Sequence, residues 1–532
     1  MKNIGLEMRI YWLNPPLSTR SIYPDLAWMN MRTACKDYHW VDPIIDWTLY
    51  KTLDDVVGHI ISNDVKVLCV SCYIWNHVLI SDVCKKVKSI NPNIVVIRGG
   101  PQLERDLKFD WFDYACDGNG HGEEFLMSAL PQINQFGSVV DPQSVPWLIS
   151  KDFRFTPHKG RYTYPSESVI EYNLPYILQC FSISKEKGIK CSIQYETTRG
   201  CPYSCTYCEW GAGGTSAKLS QKSLDVILKD IELLAMIGLS EFEITDANFG
   251  ILPRDIDVVN YMGEMKRKYG YPESIMMYGL AKVQVEKREK LLDALFKNKL
   301  LSHYFMSVQS ISQTALKNVK RTDISVDENL SLAKKLKETY GAVIKVELIL
   351  GLPGSTIDDF YQEMDLIQVT NGWLWPRAPL TILPQTESAS KEYLDSFEIK
   401  TAKVTITENE EQDVTYISNN SILGLYRSYQ DIAISCYSYS VDEWKEMFFM
   451  NKAQKVIGPM IPTDVKASDV MRDIFKKIKV KEWYKKFNDD MQKIVTNTKE
   501  EDYMIIDGKT VEEHLEDYID EIKFMVNEHS YL

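Results

Sequence analysis

Residues 196 to 208 read ETTRGCPYSCTYC and set Cys201, Cys205 and Cys208 in a C-x3-C-x2-C array behind an Arg-Gly pair. Thiolates are soft ligands that select zinc or iron–sulfur clusters. A structural zinc site closes with four ligands, normally as two C-x2-4-C pairs, and no second pair with that spacing follows here. His77 and His121 belong to an earlier stretch of the chain. Cys205 and Cys208 also form a C-x2-C pair, but they do not begin a thioredoxin-like helix. The third candidate is a [4Fe-4S] cube, in which three thiolates leave one iron free for a substrate or cofactor. The missing fourth ligand is then the working position.

Such a loop needs a rigid frame. Strand patterns occur at CSIQYETT (191 to 198), EFEITDA (241 to 247), SIMMYGLA (274 to 281), YFMSVQS (304 to 310), IKVELILG (344 to 351) and PLTILP (379 to 384). Helical stretches separate them at 217 to 237, 252 to 269, 285 to 298, 325 to 339 and 356 to 370. Six strand–helix units predict a partial (β/α)6 TIM-type barrel over residues 191–400. Chemistry in such barrels sits at the carboxyl ends of strands, and the cysteines follow the first strand.

Ahead of the barrel, residues 8 to about 134 alternate apolar runs (MRIYWLNPP, VKVLCVSCYIW, IVVIRGGP, FDYACDG) with helical stretches from about Asp25, Leu53, Val78 and Glu123. This predicts a doubly wound, Rossmann-like parallel-sheet domain over 1–140, within an α/β chain. The strands end in Asn14-Pro15-Pro16, Ser71-Cys72, Gly99-Gly100-Pro101 and Gly118-Asn119-Gly120, the kind of residues that let backbone approach a ligand. No G-x-G-x-x-G follows the first strand, which argues against ordinary dinucleotide binding. Five prolines between 142 and 175 mark 141–190 as a connecting segment. Beyond about 400 the strand signal fades, and SVDEWKEMFFMNKAQKVI, VKASDVMRDIFKKI and VEEHLEDYIDEIKFMVNEH predict a mostly helical domain over 401–532.

A formal charge of -13 argues against a sequence-independent grip on nucleic acid, which needs clustered Lys and Arg. The basic run KKIKVKEWYKK at 476 to 486 reads as a solvated helical face. No segment has 18 uninterrupted apolar residues, and the N-terminus lacks a signal-peptide pattern. Eight of the 11 cysteines are scattered singly, as small core hydrophobes in a reducing compartment would be. The expectation is a cytoplasmic protein.

The cysteine array, with Tyr207 just before its last member, resembles the radical S-adenosylmethionine (SAM) superfamily. The likeness extends to the subgroup with an N-terminal cobalamin-binding-type domain, through Asn14-Pro15-Pro16, Ser71-Cys72-Tyr73-Ile74-Trp75-Asn76, Gly99-Gly100-Pro101, DYACDGNGHGEEF, TDANFG, SVQS and ELILGLPGST. It covers roughly residues 8 to 390. One feature departs from it. The D-x-H-x2-G that supplies a lower cobalt ligand in some cobalamin domains is absent, since Asp37-Tyr38-His39 carries Asp42 at the glycine position. His39 reads as a packed or capping residue.

The resemblance implies Cys201, Cys205 and Cys208 as cluster ligands and Tyr207 against the adenine of SAM. It implies Asp246 and Asn248 near the SAM amino group, Ser307 and Gln309 near its ribose and carboxylate, and Gly351 where backbone approaches adenine. Ser71, Tyr73, Asn76, Gly99, Gly100 and Gly118 would form a cobalamin crevice. The implied chemistry is reductive cleavage of SAM to methionine and a 5'-deoxyadenosyl radical, followed by methylation of an unactivated carbon of a small-molecule or peptide substrate. An electron donor such as flavodoxin or ferredoxin is implied as partner. Cobalamin-independent rearrangement, cyclisation or sulfur insertion is the alternative reading, and a cluster-bearing sensor is the non-enzyme one.

Overall fold

The computed structural model describes all residues except 1–7, 18, 20, 104–106, 118–120, 156–161, 213–218, 278–279, 281–284, 322–324, 371–373, 375–376, 406–420, 427–428, 496–504, 507–508 and 531–532. Gly118 therefore lies outside the described residues.

The first strand, Arg9–Leu13, alternates in the period of two that a strand imposes. Ile10 and Trp12 pack on one face of the sheet, with Trp28 and Met29 of helix Leu26–Ala34 and Phe125 and Leu126 of helix Gly122–Phe136. Tyr11 and Leu13 pack on the other, with Val56 and Ile60 of Leu53–Ser62 and Ile80 and Val83 of His77–Ile90. Helices cover both faces, so the central strand Val67–Ser71 is buried at every position. The sheet runs His39–Trp40, Arg9–Leu13, Val67–Ser71, Val95–Gly99, Tyr114–Cys116 and Leu148–Ile149, parallel except for the last pair. Strand order reverses between Arg9–Leu13 and Val67–Ser71, the switch point at which doubly wound sheets bind ligands.

Strands Lys190–Tyr195, Glu241–Ile244 and Ser274–Met277 pair in parallel, as do His303–Gln309, Val343–Leu350 and Ala378–Pro379. Helices Leu224–Met236, Asp255–Tyr269, Val285–Lys297, Val326–Tyr340 and Ile357–Gln362 separate them, giving the six expected units. Local signals set the boundaries. Ser325 and Glu328 form a capping box before Val326, and Gly341 takes a left-handed φ of 64° to end the helix.

Three features depart from the sequence reading. The expected connecting segment carries regular elements among its described residues: it adds Leu148–Ile149 to the first sheet and supplies helix Leu174–Lys187, packed beside the first barrel strand. Ser21–Ile22, from the first domain, pairs in parallel with Lys190–Cys191 and so extends the barrel sheet. Lys400–Thr405 and Tyr429–Ser435 form an antiparallel ribbon within the stretch expected to be mostly helical, and Ala433 N–H donates to the Leu380 carbonyl at 2.9 Å. Short strands of this kind are completed by partners distant in sequence, which local periodicity does not register. The remaining C-terminal elements are largely helical, with Phe449, Phe475, Tyr484 and Phe487 packed together. No described helix is long and apolar enough to cross a membrane.

Candidate active site

The loop after the first barrel strand begins at Glu196, turns at Gly200 with φ 103°, and carries all three array cysteines. Cys201 and Cys205 are buried and Cys208 is half-buried. A turn closed by Cys208 N–H on the Cys205 carbonyl at 3.1 Å joins the last two. Thr206 between them is held on three sides: its N–H donates to the Val319 carbonyl (3.1 Å), its hydroxyl to Tyr393 (3.1 Å), and its carbonyl accepts from Ser388 N–H (3.0 Å). Among the described residues, no three Cys, His, Asp or Glu side chains converge so as to hold one ion. Thiolates spread along a loop suit a cube, where each takes a different iron.

The end of the second barrel strand supports this loop from beside it. Asn248 Nδ2 donates to Cys201 Sγ at 2.9 Å. Both oxygens of Asp246 accept from Thr197, one from its N–H and one from its hydroxyl, each at 2.6 Å. Burial pushes the Asp246 carboxyl up to about 7 against the pull of those hydrogen bonds. The two side chains singled out in the sequence thus serve the cysteine loop directly.

A second support crosses the barrel mouth. Arg321 donates from Nη1 to the Tyr207 hydroxyl at 2.8 Å and from Nη2 to the Ser307 carbonyl at 2.6 Å. The Ser307 hydroxyl donates to Glu347, whose carboxyl is raised by burial. Two residues on, Gln309 takes φ 69° at a bulge in the pairing with Val343–Leu350. A left-handed glutamine beside a bulge re-aims a strand end, a feature found next to active sites. Below it, Ser310 and Ile311 donate to Glu363 at 3.0 and 3.2 Å, and Glu363 is paired with Arg377 at 2.9 Å in a fully enclosed ion pair. Gly351 has φ 82°, and the Tyr439 hydroxyl donates to its carbonyl at 2.7 Å. A Cβ there would lie 2.7 Å from that hydroxyl, so packing against the C-terminal domain already requires glycine.

The strand ends of the first domain meet at its switch point. Asn76 Nδ2 donates to Asn14 Oδ1 (3.3 Å), the Pro15 carbonyl (3.0 Å) and the Ser71 carbonyl (3.2 Å), while its Oδ1 accepts from Tyr73 N–H at 2.8 Å. It straps together the loops after two strands. Tyr73 stacks on Trp75 with centroids 4.4 Å apart. Its phenol is pushed up to about 12, first by burial, then by Asp25, and also by the charge of Glu209. Glu209 follows Cys208 directly, so the phenol lies near enough to the end of the cysteine loop to feel its charge. Gly100 (φ 91°) packs on the Cys72 backbone, where a Cβ would lie 2.4 Å from the carbonyl oxygen, whereas a Cβ at Gly99 meets nothing closer than 3.7 Å. His39 is exposed and not packed as expected; it lies opposite Arg9, at the amino end of the sheet and away from this edge.

Residues 195–367 match the radical SAM superfamily model, with the cysteine array inside the match. The chain carries a radical SAM domain. It is 27% identical over 372 residues to the cobalamin-dependent radical SAM methyltransferase TokK of Streptomyces tokunonensis, a match covering 68% of this chain and 53% of that protein. The chain spans about half the length of the curated relatives it matches. In fold it resembles the cobalamin-dependent SAM radical enzyme OxsB (TM-score 0.62, 13% identity, 98% of this chain and 80% of that one). It also resembles the radical SAM methyltransferase TsrM of Kitasatospora setae (TM-score 0.59, 15% identity, 83% of this chain and 88% of that one). A radical SAM domain implies a [4Fe-4S] cluster and SAM.

Sequence reasoning missed several residues around this radical SAM site. Arg199 and Glu196 lie within the quoted cysteine motif, yet nothing local says that Arg199 pairs with both Glu196 and Glu123. Arg321 and Glu347 are reached only through the barrel's closure, and Thr197 only through Asp246.

Proposed function

We propose that the chain is a cobalamin-dependent radical SAM methyltransferase acting on a carbon of a small molecule or peptide. The observation that carries the reading is the contact between two strand-end regions: Arg199, two residues before Cys201, donates at 3.1 and 3.2 Å to Glu123, in the helix after the last parallel strand of the first domain. When bound, the cluster supplies the electron that cleaves the carbon–sulfur bond of SAM, and a corrin supplies a methyl carrier.

The residues of the chain orient and enclose. The three thiols hold irons, with the Asn248 amide turned on the Cys201 sulfur and Asp246 fixing the start of the loop through Thr197. Tyr207, Ser307, Gln309 and the Gly351 backbone would hold SAM at the mouth of the barrel, and Arg321 ties Tyr207 to Ser307. Ser71, Tyr73 and Gly99 face the corrin, while Asn76 and Gly100 hold the edge in shape. Among the described residues no D-x-H-x2-G histidine stands at that edge, so a corrin there would be held without a histidine of that motif. A flavodoxin or ferredoxin supplies the electron in a cytoplasmic setting.

The test needs no substrate. Protein reconstituted anaerobically with iron, sulfide and hydroxocobalamin, then reduced and given SAM, should yield both 5'-deoxyadenosine and S-adenosylhomocysteine. The second product should vanish when cobalamin is left out. Formation of 5'-deoxyadenosine without cobalamin uptake or S-adenosylhomocysteine would replace this reading with cobalamin-independent radical chemistry. If neither product formed and a SAM-free cluster remained, the sensor reading would stand.

A further inference from the structure

Arg199 lies two residues before Cys201, in a short antiparallel pairing of Thr198–Arg199 with Ser220–Gln221. Its guanidinium grips two carboxylates from different parts of the chain. Nε donates to both oxygens of Glu196 at 3.1 Å and Nη2 to Glu196 Oε2 at 2.9 Å. Nη1 donates to the two oxygens of Glu123 at 3.1 and 3.2 Å. Tyr162, from the segment between the domains, lies under the guanidinium with its ring centroid 3.9 Å away and donates its hydroxyl to Glu123 at 3.2 Å. The side chains of Arg199 and Glu123 are only 14% and 3% exposed, so this is an enclosed contact and not a rim pair, while the two-nitrogen, bidentate grip is on Glu196.

The positions of the partners give the contact its meaning. Glu196 ends the first barrel strand and opens the cysteine loop. Glu123 sits in the first turn of Gly122–Phe136, which follows the last parallel strand end of the first domain. Burial alone would raise the Glu196 carboxyl, but Arg199 brings it below its ordinary value, with Lys222 helping from the next strand. The charges that face Arg199 are thus Glu196, Glu123 and, beyond them, Lys222 with Asp230 at 3.9 Å.

We infer that Arg199 and Glu123 are positioning residues that hold the cysteine loop in fixed register with the ligand edge of the first domain. The inference rests on the methylating reading above, in which two ligands must meet across that gap. Orientation of bound reactants is sensitive to displacements of about 1 Å, which can cost about a hundredfold in rate. Loosening this contact therefore separates two reactions of SAM: its reductive cleavage needs only the barrel, whereas methyl donation needs both edges.

The experiment compares wild type with Glu123→Gln, Glu123→Asp, Arg199→Gln and the double variant Glu123→Gln/Arg199→Gln, each as full chain reconstituted with cluster and hydroxocobalamin. Glu123→Gln should keep its iron content and form 5'-deoxyadenosine within about twofold of wild type, while S-adenosylhomocysteine per 5'-deoxyadenosine falls at least about tenfold. Glu123→Asp should recover part of that ratio. For the ratio, the double variant should be little worse than the worse of its parents, the mark of two residues acting through one contact. A fall of both products in equal proportion, or an unchanged ratio, overturns the inference. Hydrogen exchange of residues 197–208 provides a readout that needs no methyl transfer. If wild type forms no S-adenosylhomocysteine, the methylating reading fails, and faster exchange in Glu123→Gln then upholds the contact's hold on the loop while unchanged exchange overturns it.

Discussion

Asn248→Leu should make the cluster harder to reduce. The wild-type amide places its N–H 2.9 Å from Cys201 Sγ, inside a buried setting where no water competes for the sulfur. A hydrogen bond to a charged acceptor contributes about 2 kcal/mol, and roughly a third to a half of it distinguishes the reduced cluster from the oxidised one, since reduction adds one negative charge. That difference of about 0.7–1 kcal/mol corresponds to a midpoint potential about 30–40 mV more negative for a one-electron couple. Leucine matches the volume and removes the donor, so the loop should keep its shape. Asn248→Asp should shift the potential further in the same direction, because an anion then faces the sulfur. The assay is a redox titration of anaerobically reconstituted protein followed by electron paramagnetic resonance, with iron and sulfide measured on the same samples. A potential within about 10 mV of wild type in Asn248→Leu at full iron content would refute the reasoning. If SAM affinity fell instead, Asn248 would belong to the SAM amino group, as the family resemblance implied, and not to the sulfur.

Asp246→Ala leaves Thr197 N–H buried without its acceptor and should cost about 1–3 kcal/mol in the apo-protein, with Asp246→Asn costing less; urea unfolding measures both. Because burial holds the Asp246 carboxyl at about 7, above its value in the unfolded chain, its protonated form favours the fold. That contribution is complete below about pH 4 and is lost as pH rises through 7, so the stability advantage of wild type over Asp246→Asn should shrink between pH 5 and 8. Gly100→Ala should cost about 2 kcal/mol or more, since its Cβ would lie 2.4 Å from the Cys72 oxygen at a left-handed φ, while Gly99→Ala stays within about 1 kcal/mol; thermal melting distinguishes them. Glu363→Gln leaves Arg377 charged and enclosed, and should cost about 3–5 kcal/mol by chemical unfolding, with weaker SAM binding because one remaining oxygen must serve either Arg377 or the Ser310 and Ile311 donors beside Gln309.

The barrel and the doubly wound domain were legible because both announce themselves locally. Several helices carry their own caps, as at Thr52, Ser325 and Thr356, and the central buried strand Val67–Ser71 its own apolar run. The cysteine array was legible for a similar reason, since its spacing within one loop is a property of the sequence alone. Short pairings were not: Ser21–Ile22 has two residues and no periodicity, and it becomes a strand only because Lys190–Cys191 offers it an edge.

The sequence by itself determined which side chains are available for chemistry and which strand end bears them. Only the tertiary structure decided what those side chains face. The family resemblance makes Gly100 and Gly351 points where backbone meets a cofactor, and the fold adds a second reason for glycine there, since a Cβ would meet the Cys72 backbone or Tyr439. Asn76 could have touched a cofactor, yet its amide is committed to three neighbouring loop acceptors. Arg199 gains its partner Glu123 from a residue 76 positions away. Spacing along a chain constrains near neighbours, through the periods of helix and strand, whereas a guanidinium finds a distant carboxylate only after both domains have packed and excluded the water that would otherwise solvate them.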